Sequence, residues 1–224
     1  AEVLVRGRRV LELGAGCGLV GLAAAAVGAN HVALTDTSIA VDHLSANVKL
    51  NKQRVADAGD DGLRRTFSAS AHCLDWGDAE QAEQLCVSTG PFDLVLLSDC
   101  TYWQHLHERL ASTLSQLAYR QQLLPPPDDS CAGTTTPARG GLLAAAVPTS
   151  SPPAGTKCVV LLAHHWRRPD VEQPFFDSIA EPPWPLRVTS LGREGDVELM
   201  RLDPVPLSAD ELEKHHAHEA ERLI

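Results

Sequence analysis

The segment Glu12-Leu13-Gly14-Ala15-Gly16-Cys17-Gly18 constrains this chain more than any other. Val10-Leu11-Glu12-Leu13 is a short apolar run, and Leu19 to Val27 is an alanine-rich stretch of good helix formers that stops at Gly28. Gly14, Gly16 and Gly18 therefore fall in a tight turn between a strand and a helix. There the missing Cβ and the tolerance of positive φ let the backbone pass very close to a ligand.

The rest of the chain repeats that alternation. Val32-Ala33-Leu34-Thr35-Asp36 reads as a second strand, and Ser38 to Asn51 as a helix with Ile39, Val41, Leu44, Val48 and Leu50 at roughly helical spacing. A weaker strand, Phe67 to Leu74, and a helix, Glu80 to Val87, precede the buried strand Phe92-Asp93-Leu94-Val95-Leu96-Leu97. Gln104 to Arg120 is an amphipathic helix carrying Leu106, Leu110, Leu114 and Leu117, and Lys157 to Ala163 is the next strand. Val171 to Ala180 reads as a helix; Leu186 to Leu191 and Val197 to Leu202 read as strands joined through Gly192 to Asp196, so tightly that they must be antiparallel. The expected fold class is α/β: a Rossmann-like, mostly parallel seven-stranded sheet with an antiparallel terminal strand and helices on both faces.

A chain of 224 residues with 44% hydrophobic composition holds one sizeable core, so residues 1–224 are read as a single domain. Residues 121–156, rich in Pro, Ser, Thr and Gly, are read as a low-complexity insertion with an apolar patch at Leu142 to Val147. Residues 204–224 are read as a charged helix opened by a Ser208–Glu211 capping box. His215, His216 and His218 in that helix are assigned to solvated surface, and no metal site is expected. The chain begins without methionine in what reads as the end of a helix, so an upstream portion is expected to precede it.

A formal charge of −10 lacks the basic footprint that binds nucleic acid or anionic membranes. No apolar run reaches the roughly 18 residues of a spanning helix. The six cysteines show neither C-x-x-C nor zinc spacing and are read as small buried hydrophobes of a reduced compartment. A cytoplasmic location is the expectation, and nuclear or organellar residence is compatible with the same residues.

The glycine turn fits two cofactor classes. Gly16-Cys17-Gly18-Leu19-Val20-Gly21 has the G-x-G-x-x-G spacing of nicotinamide binders, but that fingerprint should start where the strand ends, at Gly14, which puts Leu19 where its third glycine belongs. Glu12, an acid among apolar neighbours, needs either a cationic ligand group or a backbone or arginine partner. Asp36 ends the second strand about twenty residues past the glycines, the place of an acid that accepts from both hydroxyls of a ribose; a helix cap is its other reading. Asp75-Trp76 follows the third strand at the rim where an adenine would lie, with an indole to pack on the base and a backbone amide to read its edge.

The first block, Arg9 to Ala23, together with Leu34-Thr35-Asp36, Asn47 to Asn51, Leu74-Asp75-Trp76-Gly77 and Phe92 to Tyr102, resembles the family 16 seven-strand protein methyltransferases, whose members mostly modify lysine in proteins. The Asp75-Trp76 block and the Asp99-x-x-Tyr102 motif narrow the likeness to this family. The resemblance implies S-adenosyl-L-methionine as cofactor and a protein presenting a lysine as partner. It places Gly14, Ala15, Gly16 and Gly18 against the methionine and ribose, Asp36 on the ribose, and Asp75, Trp76 and Ser98 at the cofactor. Asp99 and Tyr102 form the acceptor motif. Relatives often have alanine or glycine at the place of Ser98, carry an upstream segment whose tryptophan helps close the pocket, and lack the long insertion.

Methyl transfer from a sulfonium is an in-line displacement, and an ammonium has no lone pair, so a lysine acceptor must lose its proton and be aligned. Asp99 is expected to hold that nitrogen and Tyr102 to supply a second oxygen or shape the channel; a helix cap and an aromatic pair packing the helix down are their other readings. The same fold is also compatible with a histidine or small-metabolite acceptor, or with a non-catalytic interaction module.

Overall fold

In the first strand Leu11 and Leu13 face one side while Val10 and Glu12 face the other, and all four are at most 2% exposed. A strand this buried requires cover on both faces. The computed structural model describes residues 2–57, 67–123, 158–181, 185–206, 208 and 211. Its elements run α1 (Glu2–Val5), β1 (Arg9–Leu13), α2 (Leu19–Ala26), β2 (His31–Asp36), α3 (Val41–Asp57), β3 (Ala69–Cys73), α4 (Ala79–Thr89), β4 (Leu94–Ser98), a 3-10 turn (Gln104–Leu106), α5 (His107–Leu123), β5 (Val159–His165), α6 (Pro169–Ser178), β6 (Leu186–Glu194) and β7 (Val197–Pro204).

The seven strands form one sheet in the order β3-β2-β1-β4-β5-β7-β6. β3 through β5 pair in parallel, and β7 runs antiparallel between β5 and β6. The expected fold class is thus the observed one, and the antiparallel strand is β7, the last in the chain, which lies between β5 and β6. Leu11, Leu13, Val95, Leu97, Leu110, Leu114, Leu117 and Phe175 pack into one apolar layer beneath α4, α5 and α6. Val10, Val32, Leu34, Ala24, Ala25, Leu44 and Val48 form the layer beneath α2 and α3.

Several boundaries differ from expectation for local reasons. Ala40 and Val41 donate to the Thr37 carbonyl, so a turn precedes α3 and leaves Ile39 outside it at 93% exposure. Leu50 is also exposed, and only Leu44 and Val48, one turn apart, reach the sheet. Leu106 belongs to the 3-10 turn, whereas Leu110, Leu114 and Leu117 form the buried stripe of α5. α5 continues to Leu123, into the segment assigned to the insertion. The last hairpin turns at Gly195-Asp196, since Gly192 to Glu194 already pair with β7.

The Ser208–Glu211 box forms: Glu211 Oε2 accepts from the Ser208 amide at 2.7 Å and from its hydroxyl at 2.6 Å. The insertion from residue 124, its apolar patch, Cys131 and the three C-terminal histidines lie outside the described residues. Cys100 and Cys158 are buried, as expected of small apolar side chains, but Cys17 and Cys73 are exposed and Cys86 is half-buried. No group of metal-ligating side chains occurs among the described residues.

Candidate functional site

Parallel strands that end together leave their carboxyl-terminal loops side by side, and a crevice opens where connections leave the sheet in opposite directions. Here that point lies between β1 and β4: β1 leads to α2 on one face, and β4 leads through residues 99–106 to α5 on the other.

The loop after β1 takes left-handed conformations at Gly14 (φ 62°), Gly16 (φ 54°) and Gly18 (φ 81°). Gly14 is closed in: a Cβ there would lie 2.8 Å from the Trp76 ring and 3.1 Å from Cys100 Sγ. Gly16 is open, with nothing within 4 Å of a Cβ position. Ala15 donates to the Thr35 carbonyl at 2.9 Å, and Gly18 to the Ala15 carbonyl at 2.7 Å, which fastens the loop to the end of β2.

Two carboxylates set the loop from below and from the side. Gly18 precedes α2 without a side chain that could cap it. Glu12 supplies the missing acceptor: its Oε2 takes the Gly21 amide at 2.8 Å in the first turn of α2. Burial pushes the Glu12 carboxyl up to about 7, against the lowering effect of that amide, and the Asp36 charge adds to the rise. Of the two partners open to Glu12, the backbone one is present. Asp36 divides its oxygens, Oδ2 accepting from the Gly16 amide at 2.7 Å and Oδ1 from the Thr37 amide at 2.8 Å. Oδ1 also takes the Thr37 hydroxyl at 3.4 Å. A carboxylate offers about four lone-pair directions, so Oδ2 retains one for a hydroxyl, and Oδ1 gains one when the Thr37 hydroxyl turns away.

Trp76 packs against the apolar layer with its six-membered ring edge over Gly14. The Asp75 amide donates to Gln81 Oε1 and the Gly77 amide to Thr113 Oγ1, so neither of these is the amide expected to read a base edge. Ser98 ends β4, exposed, one residue beyond the Leu13–Leu97 register pair.

Asp99 has φ 58°, unusual for a residue with a side chain. Its amide donates to the Ala163 carbonyl at 2.8 Å. Its carboxylate is engaged by Arg167, with Nη1 donating to Oδ1 at 2.7 Å and Nη2 to Oδ2 at 2.6 Å. Asp99 therefore does not cap α5, which starts at His107. Tyr102 and Trp103 do not pack the helix down either: each is 53% exposed, with ring centroids 5.6 Å apart, and Trp103 continues to His105 at 5.7 Å.

Four contributors were given no place in the site from the sequence. Arg167 follows β5, whose end lies beside Asp99 only because β5 neighbours β4; the strand order carries that signal. Glu172, 2% exposed in α6, accepts from the Arg167 and Arg168 amides at 3.2 and 3.1 Å and faces His164 Nε2 at 3.5 Å. His164 Nδ1 in turn hydrogen-bonds Thr101 Oγ1 at 2.9 Å. Cys100 underlies Gly14 with its thiol pushed up to about 12 by burial, so it fills space rather than acting as a nucleophile.

Glu12, Gly14 to Gly18, Asp36, Trp76, Ser98 and Asp99 thus gather at one end of the sheet, with Tyr102 on its exposed rim.

Known proteins are similar to this chain in sequence and in fold. Over 117 residues the chain is 36% identical to the protein N-lysine methyltransferase METTL21A of Danio rerio, covering 52% of this chain and 47% of that protein. It is 34% identical over 114 residues to the calmodulin-lysine N-methyltransferase of Arabidopsis thaliana, covering 50% of this chain and 33% of that one. The chain spans half or less of the length of these curated relatives. An O-methyltransferase family protein from Burkholderia thailandensis shares the fold with a TM-score of 0.51 at 13% identity, over 90% of this chain and 52% of that one. The lysine methyltransferase family profile matches residues 2–124, more than half of the sequence, and the chain belongs to that family.

Proposed function

We propose that this protein transfers a methyl group from S-adenosyl-L-methionine to a lysine side chain of a protein substrate. The observation that carries the reading is the pairing of the Gly16 amide with Asp36 at 2.7 Å, beside an open Gly16 and within the matched region. It leaves a carboxylate and a glycine without a side chain facing the same space, which fits a ribose and its attached chain.

The cofactor supplies an electrophilic methyl on a sulfonium. Gly14 to Gly18 would lie along the methionine and ribose, Asp36 would accept from the ribose hydroxyls, and Trp76 would offer its ring edge near the base. Ile39, exposed three residues past Asp36, adds apolar surface at the same strand end. Asp99 holds the acceptor nitrogen by accepting one N–H, which orients the nitrogen lone pair. The exposed Tyr102–Trp103 pair lines the approach with aromatic surface suited to an aliphatic lysine stem. A cytoplasmic location belongs to the same proposal.

The test is incubation with methyl-labelled cofactor and a protein extract, followed by hydrolysis to amino acids. Label in methyl-lysine, lost in the Asp36→Ala protein, is the expected result. Label confined to methyl-histidine or to small molecules would overturn the assigned acceptor, and the absence of label together with no heat of cofactor binding would favour an interaction module.

A further inference from the structure

Arg167 is held from both ends. Buried Glu172 accepts its backbone amide, and Asp99 accepts two N–H groups of its guanidinium. The two side chains are 46% and 36% exposed, and their two parallel hydrogen bonds give the bidentate geometry that fixes a guanidinium and a carboxylate in one plane. Asp99 also adopts a backbone conformation that opposes folding. The pair thus fixes a positive charge directly on the carboxylate assigned to the acceptor.

We propose that Arg167 is a positioning residue for the acceptor: by cancelling the charge of Asp99 while leaving it lone pairs, it makes the site receive a neutral amine in preference to an ammonium. This rests on the function proposed above and adds a source of selectivity to it. A lone carboxylate beside a lysine nitrogen stabilises the ammonium, the form that cannot attack. A guanidinium held at 2.6 and 2.7 Å removes that bias, and each Asp99 oxygen still has a lone pair for one amine N–H.

The proton of the incoming lysine leaves to solvent before the step, because a guanidinium cannot take it up. The amine lone pair then forms the N–C bond as the C–S bond breaks. Sulfur keeps that electron pair, and the resulting methylammonium loses its proton to solvent.

The charge at this site can be measured without the protein substrate. S-adenosylhomocysteine has no group in place of the methyl, whereas sinefungin carries a primary amine there, and calorimetry near pH 7 compares the two. In R167Q the freed Asp99 charge should strengthen sinefungin binding by about tenfold, the scale of one nearby opposite charge, with S-adenosylhomocysteine unchanged. The gain should vanish at a pH where the amine is neutral, and R167K, which keeps the charge, should hold the unmodified ratio.

Equal ratios in the unmodified protein and a folded R167Q would overturn the inference. If R167Q does not fold, D99N carries the test: it leaves Arg167 unopposed and should weaken sinefungin alone, again by about tenfold, and an unchanged ratio would overturn the inference. Failure of the unmodified protein to bind S-adenosylhomocysteine would overturn the proposed function itself, and this inference with it.

Discussion

Glu12 and Gly21 define each other: Glu12 Oε2 accepts the Gly21 amide at 2.8 Å, and a Cβ on residue 21 would stand 2.5 Å from that same oxygen. The strand acid and the helix glycine form one device that caps α2 and holds the loop between them. Its electrostatic consequence is the rise of the Glu12 carboxyl from 4.5 to about 7.

A raised carboxyl means that the folded state binds the proton more tightly than the unfolded chain. The contribution of Glu12 is thus fully present below pH 4.5 and is lost as pH rises toward 7. The loss should amount to roughly 3 kcal/mol. Urea unfolding at a series of pH values should show that slope as the difference between the unmodified protein and Glu12→Gln, which can still accept from Gly21. Parallel stability curves would contradict it.

Two glycines of the same loop separate folding from binding. Gly14→Ala places a methyl 2.8 Å from Trp76 at φ 62° and should lower stability by roughly 2–4 kcal/mol. Gly16→Ala meets no neighbour within 4 Å and should cost only about 1–2 kcal/mol for its φ. Its methyl nevertheless enters the space assigned to the cofactor, so affinity for S-adenosyl-L-methionine should fall at least about tenfold. Thermal melts with calorimetry make the comparison, and wild-type affinity in Gly16→Ala would place the cofactor elsewhere.

The strands, the glycine turn and Asp36 were legible because each is signalled within a few adjacent residues. Val10 to Leu13 reads as a strand from its own side chains, and three alternating glycines need no partner to be recognised. Asp99 was legible as a residue but not in its circumstances: Arg167 stands 68 positions away and meets it only through the β4–β5 pairing. Ile39 misled for the opposite reason, since its spacing suits a helix while the Thr37–Ala40 turn takes it out of one. Glu172 resembles an ordinary surface helix acid until β5 sets His164 beneath it.

Asp36 and Asp99 should divide binding from transfer. Asp36→Ala removes the acceptor of the Gly16 amide together with the assigned ribose contacts, and should weaken cofactor binding by roughly ten- to a hundredfold. Asp99→Ala lies beyond the cofactor seat and should leave that affinity unchanged while lowering transfer by about a hundredfold through misplacement of the amine. Calorimetry and label incorporation on both proteins test the division, and equal losses of cofactor affinity would refute it.

Glu172 gives the last prediction, through His164. Burial lowers the imidazole below its usual 6.5, and the Glu172 carboxylate is the main influence opposing that shift. A folded state that binds this proton less tightly than the unfolded chain keeps its full stability above pH 6.5 and loses it as pH falls. Taking away the carboxylate deepens the depression, so Glu172→Ala should begin to unfold at a higher pH on acidification than the unmodified protein. At neutral pH it should already be weaker by roughly 2–3 kcal/mol, because the Arg167 and Arg168 amides lose their shared acceptor. Arg167, released from its backbone anchor, would then hold Asp99 less firmly, so transfer should fall while S-adenosylhomocysteine affinity does not. Circular dichroism against pH, paired with label incorporation above pH 7, would show both effects; an acid transition that does not move would remove His164 from the account.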